Sequence, residues 1–303
     1  MHIVIILFFL MVSVCQAEEP QTVNQELDEV VMSVSKWEQQ KRDVPNRIIS
    51  LDARSIAFTE PQTAADLLQS SGKVFVQKSQ LGGGSPMIRG FATNRLLLSV
   101  DGVRMNNAIF RGGNLQNVIS VDPFTIQNTE VTLGAGSVVY GSDAIGGVMS
   151  FYTKKPQPSY SDSLFFKVNS AGRYSTANNE KTGHLDVNIG LNKWAFLSSV
   201  SYTDFDDLRM GSHGPNEYLR PEYVQTINGE DMIVENSNPQ IQKPTGYNQI
   251  NFLRKVRYEP TENYSFDLSV YYTSSSEFSR YVRLIRYRGD NIRSAEWNYG
   301  PQR

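Results

Sequence analysis

Residues 131–155 read VTLGAGSVVYGSDAIGGVMSFYTKK, and five glycines in so short a span are common raw material for a phosphate loop. Such a loop needs backbone N–H groups presented by the first turn of a helix, usually with a Lys close behind. Here no G-K-[ST] follows, and Val148-Met149-Ser150-Phe151-Tyr152-Thr153 has the β-branched and aromatic composition of a strand. Nucleotide chemistry is set aside on that ground. Thiol chemistry goes the same way. Cys15 is the single cysteine and lies in an export signal, so disulfides and thiolate metal or redox chemistry are excluded from the mature chain.

That export signal is the apolar run from Ile3 to Val14, followed by Cys15-Gln16-Ala17 with small residues at the cleavage positions. The mature chain is expected to start near Glu18. At about twelve residues the run is too short to span a bilayer, and no other segment has the length and apolarity of a transmembrane helix. Net charge is −2 over 303 residues, which gives no basic face for nucleic acid. Aromatics make up 11% of the chain, with 15 Tyr and 15 Phe, a mixture suited to half-buried strands.

The elements that would position any site fall into two groups. Leu27-Asp28-Glu29-Val30-Val31-Met32-Ser33-Val34 is a β-prone run standing alone before a charged stretch. It reads as an edge strand, or as an extended peptide ready to add to a partner's sheet edge. Thr59-Glu60-Pro61-Gln62 has capping-box spacing and predicts a helix whose apolar face is Ala64, Ala65, Leu67 and Leu68, stopped by Gly72. Val74-Phe75-Val76 predicts a strand, and Asp101-Gly102 predicts a tight hairpin. Residues 27–156 therefore read as a small α+β domain.

Beyond Pro158 the pattern changes to long alternation. Leu164, Phe166 and Val168 begin a series continued by Leu185, Val187 and Ile189, then Trp194, Phe196, Val200 and Tyr202. Ile250, Phe252, Val256 and Tyr258 form a fourth run, and Tyr264, Phe266, Leu268, Val270 and Tyr272 a fifth. Five strands of about ten residues, each apolar on one side, suit a transmembrane barrel. A soluble sandwich also alternates. Connections sharpen the choice: short turns near Leu191-Asn192-Lys193 and residues 259–262 face one side, and a polar excursion over residues 206–245 faces the other. Trp194, Tyr258 and Tyr264 beside the short turns suit an interfacial girdle.

Taken together, these residues resemble a TonB-dependent outer-membrane receptor. Leu27 to Val34 resembles the TonB box. Ile88-Arg89-Gly90-Phe91, Val100-Asp101-Gly102-Val103-Arg104, Glu130-Val131 and Tyr140-Gly141-Ser142-Asp143-Ala144-Ile145-Gly146-Gly147-Val148 follow the plug motifs in order. The implied fold is an α+β plug followed by antiparallel transmembrane barrel strands. The implied domains are a signal peptide (1–17), a TonB box and linker (18–48), a plug (49–158) and the N-terminal part of the barrel (159–303). Plugged transporters close with about 22 strands, so about five strands make an incomplete barrel and the chain is expected to be a fragment. The glycines of residues 131–155 are expected to let a plug loop turn tightly and pack on the barrel wall.

The resemblance also implies roles. Asp28, Glu29, Val30, Val31, Met32, Ser33 and Val34 would bind TonB. Arg89 and Glu130 would meet the barrel, although the family's E-V-x-R-G-P is here Glu130-Val131-Thr132-Leu133-Gly134-Ala135, without the Arg. Residues 105–117 are most similar to the plug apex of haem and haemoprotein receptors, placing Asn107, Phe110, Arg111 and Asn114 under the ligand. Asn114 stands where those receptors often carry a His that binds haem iron, and an amide is a poor iron ligand. His213, in the long polar loop, would be a substitute ligand or a solvated side chain, and His184 is open to the same two readings. The expected activity is TonB-energised uptake of haem or a ferric siderophore, carried as cargo with no resident cofactor or metal. The expected partners are TonB, outer-membrane lipid and the ligand, with no nucleic acid and no enzymatic step. A passive porin or surface-binding barrel is the alternative, and a soluble β-rich binding protein would need the apolar strand faces to pack on each other.

Overall fold

The computed structural model describes residues 30–32, 39–92, 95–105, 116–261, 263–289, 291–292 and 294–299. Among the described residues the first element is β1 (Val30–Val31), which pairs antiparallel with β2 (Gln39–Gln40). The plug then builds on β3 (Arg47–Asp52), β4 (Phe75–Gln77), β5 (Ser85–Ile88), β6 (Phe91–Ala92), β7 (Leu96–Val100), β8 (Val103–Arg104), β9 (Ile126–Leu133) and β10 (Gly147–Thr153). Its main sheet has the order β3-β9-β10-β7-β8, with β10 and β7 parallel. The three central strands are covered on both faces, and Leu96, Leu98, Met149 and Phe151 are completely buried. Each contributes about 1.5–3 kcal/mol on leaving water.

Two helices close one side of that core. The helix Ala53–Thr59 is capped by Asp52, whose carboxylate accepts the Ser55 N–H. The helix Ala64–Ser70 buries Ala64, Ala65, Leu67 and Leu68, the face expected from sequence. Its capping box is not the Thr59 one. Thr63 accepts the Asp66 N–H and Asp66 accepts the Thr63 N–H, whereas Thr59 ends the preceding helix and Glu60 turns out of it with φ 41°. An earlier helix started by Asp52 takes up the first signal.

The glycine-rich stretch is also corrected in part. A Cβ on Gly147 would lie 2.7 Å from the Thr132 carbonyl, and one on Gly146 would lie 2.4 Å from the Phe91 Cβ. Both neighbours belong to the plug. The close approaches at these two positions lie within the plug, where the chain enters β10, and not against the barrel wall.

The second sheet contains β11 (Phe165–Ser175), β12 (Glu180–Gly190), β13 (Trp194–Phe205), β18 (Tyr247–Thr261) and β19 (Tyr264–Ser275), all antiparallel and in that order. Between β13 and β18, the excursion carries β14 (Leu208–Arg209), β15 (Glu222–Ile227), β16 (Glu230–Glu235) and β17 (Ile241–Gln242), paired β14 with β17 and β15 with β16. One connection departs from expectation. Residues 176–179 join β11 to β12 by a short turn on the same side as that excursion.

The faces of this sheet are inverted relative to a soluble protein. Asp186 is 1% exposed while the adjacent Leu185 is 44% exposed. Glu180, Thr182, His184, Asn188, Ser199 and Ser201 likewise turn toward the plug, and Val200, Tyr202, Ile250 and Phe252 turn outward. A sandwich would bury the second set. An apolar exterior with a polar interior is the arrangement of a barrel wall in lipid. Trp194 and Tyr258 stack at 4.3 Å beside the short turns, where a girdle belongs.

Candidate functional site

The seam between plug and wall is built from the inward residues of alternating strands. On β12, the period of two sets Glu180, His184, Asp186 and Asn188 in one row facing the plug. Lys154, just past β10, donates to Asp186 Oδ2 at 2.7 Å, and Asn169 donates to Asp186 Oδ1 at 2.7 Å. The His184 Nε2 lies 3.0 Å from Asp186 and its Nδ1 lies 2.7 Å from Ser201 Oγ. Ser201 Oγ is in turn 2.6 Å from Asp122 of the plug. Phe124 stacks flat on the His184 ring at 4.8 Å.

Ser201, His184 and Asp186 are the residue types of a hydrolytic triad, but the geometry does not serve that chemistry. A triad serine faces substrate; this one faces Asp122 and is 1% exposed. Ser201 has one hydroxyl proton for two neighbours, the Asp122 carboxyl and the His184 ring. Burial pushes the Asp122 carboxyl above the ordinary carboxylate range, against the Ser201 and Phe124 N–H bonds and the charges of His184 and Lys154.

A second junction lies at Asp101, in the β7–β8 turn, where Asp101 (φ 47°) and Gly102 (φ 82°) both take the left-handed conformation of the expected hairpin. Its carboxylate accepts from the Thr153 N–H at 2.8 Å and from Lys255 Nζ of β18 at 2.7 Å, and it also holds the Tyr271 hydroxyl of β19. Burial raises this carboxyl, but the Lys255 charge and the bonds from Lys255, Tyr271 and Thr153 outweigh it, leaving it below the ordinary range. Beside this junction a cavity of about 820 Å³ separates the plug from β18 and β19. Met32 and Arg257 line it near the short turns, and Ser120 and Thr273 line it toward the long loops.

At the plug's lower side, Val31 is 1% exposed and the Met32 N–H meets both oxygens of Glu130 at 3.1 Å. Glu130 is fully buried in β9 and also accepts from Asn128. The carboxylate expected against the barrel thus receives the N-terminal segment, while Asp101–Lys255 and Lys154–Asp186 are ion pairs between plug and wall. Arg89 is exposed at the β5–β6 turn with φ 49°. His213 is exposed beside Ser212 in the excursion, and His184 is sealed in the seam with both ring nitrogens engaged. Asp28, Glu29, Ser33, Val34, Asn107, Phe110, Arg111 and Asn114 lie outside the described residues. Sequence reasoning passed over Asp101, Asp122, Lys154, Ser201 and Lys255. The available signal was the inward polar row of each strand, which reports a polar neighbour without naming it.

Residues 40–148 match the TonB-dependent Receptor Plug Domain family. These residues are the plug domain of a TonB-dependent outer-membrane receptor. It is 36% identical over 152 residues to the vitamin B12 transporter BtuB of Vibrio vulnificus, covering 49% of this chain and 23% of that protein. It is 29% identical over 228 residues to a probable hemoglobin and hemoglobin-haptoglobin-binding protein of Haemophilus influenzae, covering 72% and 21%. Among solved structures, P. aeruginosa FpvA bound to heterologous pyoverdines superposes with TM-score 0.58 at 14% identity, over 82% of this chain and 27% of that one. The FrpB iron transporter from Neisseria meningitidis superposes with TM-score 0.57 at 17% identity, over 77% and 32%. The chain spans under a quarter of the length of the curated relatives it matches.

Proposed function

We propose that this receptor takes up an iron source, haem or a ferric siderophore, by TonB-energised transport. The observation that carries the reading is the N-terminal strand held under the plug, with Val31 buried and the Met32 amide on Glu130. A short extended segment held by its two-residue pairing with β2, the Met32 amide on Glu130 and the buried Val31 can leave and add to a partner's sheet edge. Val30, 46% exposed beside it, is open to such a partner. Ligand would bind over residues 105–117 and the long loops. TonB would then take the freed strand and pull, and the strand's exit would uncover Glu130 and the Met32 end of the plug–wall cavity. A passive porin has no use for such a strand.

The relatives and structural neighbours are named for vitamin B12, haemoglobin and pyoverdine, so the ligand class needs its own test. In the complete receptor, energised cells should accumulate labelled haem or a ferric siderophore, and cells lacking TonB should not. Accumulation of cobalamin alone would overturn the iron reading. Asn114→His should strengthen haem binding and shift its absorption spectrum on a haem-receptor scaffold, because imidazole is a competent axial ligand. An unchanged spectrum counts for the siderophore.

A further inference from the structure

The outward face of the five-stranded sheet can be read row by row from its register. The lowest row is Trp194–Tyr258–Phe266, beside the short turns. A polar row, Lys181–Asp204–Asn248, closes the top. Four rows lie between them. Rows two residues apart rise about 5 Å each for strands tilted by about 40°, so the five steps reach about 25 Å, the height of a lipid-facing band.

One of the four intermediate rows is out of keeping with lipid. Phe196–Val256–Leu268, Val200–Phe252–Tyr272 and Tyr202–Ile250–Ser274 carry apolar, aromatic or hydroxyl side chains, but the remaining row is Ser198–Arg254–Val270. Arg254 is exposed and is the one charged residue among these twelve positions. Its Cα lies about 10 Å above the girdle, where a charge is costly unless it reaches the interface or finds a partner. The side chain leans one row down: its guanidinium stands 5.6 Å over the Phe196 ring and donates to Ser198 Oγ. Ser198 takes one of five donors.

We infer that Arg254, Ser198 and Phe196 form a site for the phosphodiester of a phospholipid in the periplasmic leaflet. The lean toward the short turns directs the guanidinium at that leaflet's headgroups. A phosphodiester offers the paired anionic acceptors that a guanidinium fork engages, and the acyl chains would lie over Val256, Leu268 and Val270. A second copy of the receptor fits less well, since a two-fold contact through this face would set Arg254 near its own mate.

The test uses the complete receptor extracted in mild detergent and titrated with phosphatidylglycerol, with bound lipids counted by native mass spectrometry. Wild type should retain one phospholipid that Arg254→Leu releases at roughly tenfold lower lipid affinity, and Arg254→Lys should fall between them, lacking the fork. Arg254→Leu should still insert and remain heat-modifiable, because it places an apolar side chain in the band. Equal retention by wild type and Arg254→Leu would overturn the site. So would a wild-type dimer that Arg254→Leu dissolves, since it assigns the face to a protein partner.

Discussion

At the scale of single residues, the two plug carboxylates on the seam carry opposite pH signatures. Asp101 is held below the ordinary carboxylate range. Its contribution is therefore present above about pH 4 and lost as pH falls through its lowered value. Asp122 is held above that range. Its contribution is full below about pH 4 and declines as pH rises through the raised value, where a buried charge forms on Asp122. Thermal midpoints of the complete receptor across pH should show plug stability falling on both sides. Asp101→Asn should flatten the acid limb and Asp122→Asn the alkaline one. Asp101→Asn should also cost about 2–3 kcal/mol near neutrality, because it strips a charged hydrogen-bond partner from Lys255, itself buried on β18. Unchanged limbs in both variants would remove the two junctions from the account.

At the scale of elements, the corrected helix start makes a sharp comparison. Thr63→Ala removes one half of a capping box and should cost about 1 kcal/mol, whereas Thr59→Ala removes no cap and should cost less than about 0.5 kcal/mol. Hydrogen exchange over the helix Ala64–Ser70 reads the difference, and equal effects would restore the first assignment. This helix also shows what the sequence reveals and what it hides. Its buried face is a local pattern, legible as Ala64, Ala65, Leu67 and Leu68, but two rival caps four residues apart cannot be ranked without the helix that precedes them. The five wall strands were legible because alternation runs the length of each. The short β11–β12 turn was not, because residues 176–179 lie beyond the point where Leu164, Phe166 and Val168 define a period. The seam was hidden for a different reason. Asp101 and Lys255 are 154 residues apart, and Ser201 and Asp122 are 79 apart. Pairs that distant leave no local periodicity to read.

At the scale of the whole molecule, the inversion of the wall separates a barrel from a sandwich. The same alternation serves both folds; what differs is which face is buried, and the plug covers the polar one. Plug and wall are joined by the ion pairs Asp101–Lys255 and Lys154–Asp186 and, toward the long loops, by Phe205, Tyr247 and Phe278 packed into the plug core. The N-terminal strand sits beside this interface and touches Glu130 at the centre of the plug sheet. The account's central claim is that this strand is the handle through which transport is energised. The direct measurement compares ligand uptake with ligand binding in cells carrying the complete receptor with Val30→Pro or Val31→Pro. Proline removes the backbone donor that an added strand needs. Binding should be retained and energised uptake abolished in at least one of the two variants. Undiminished uptake in both would contradict the account.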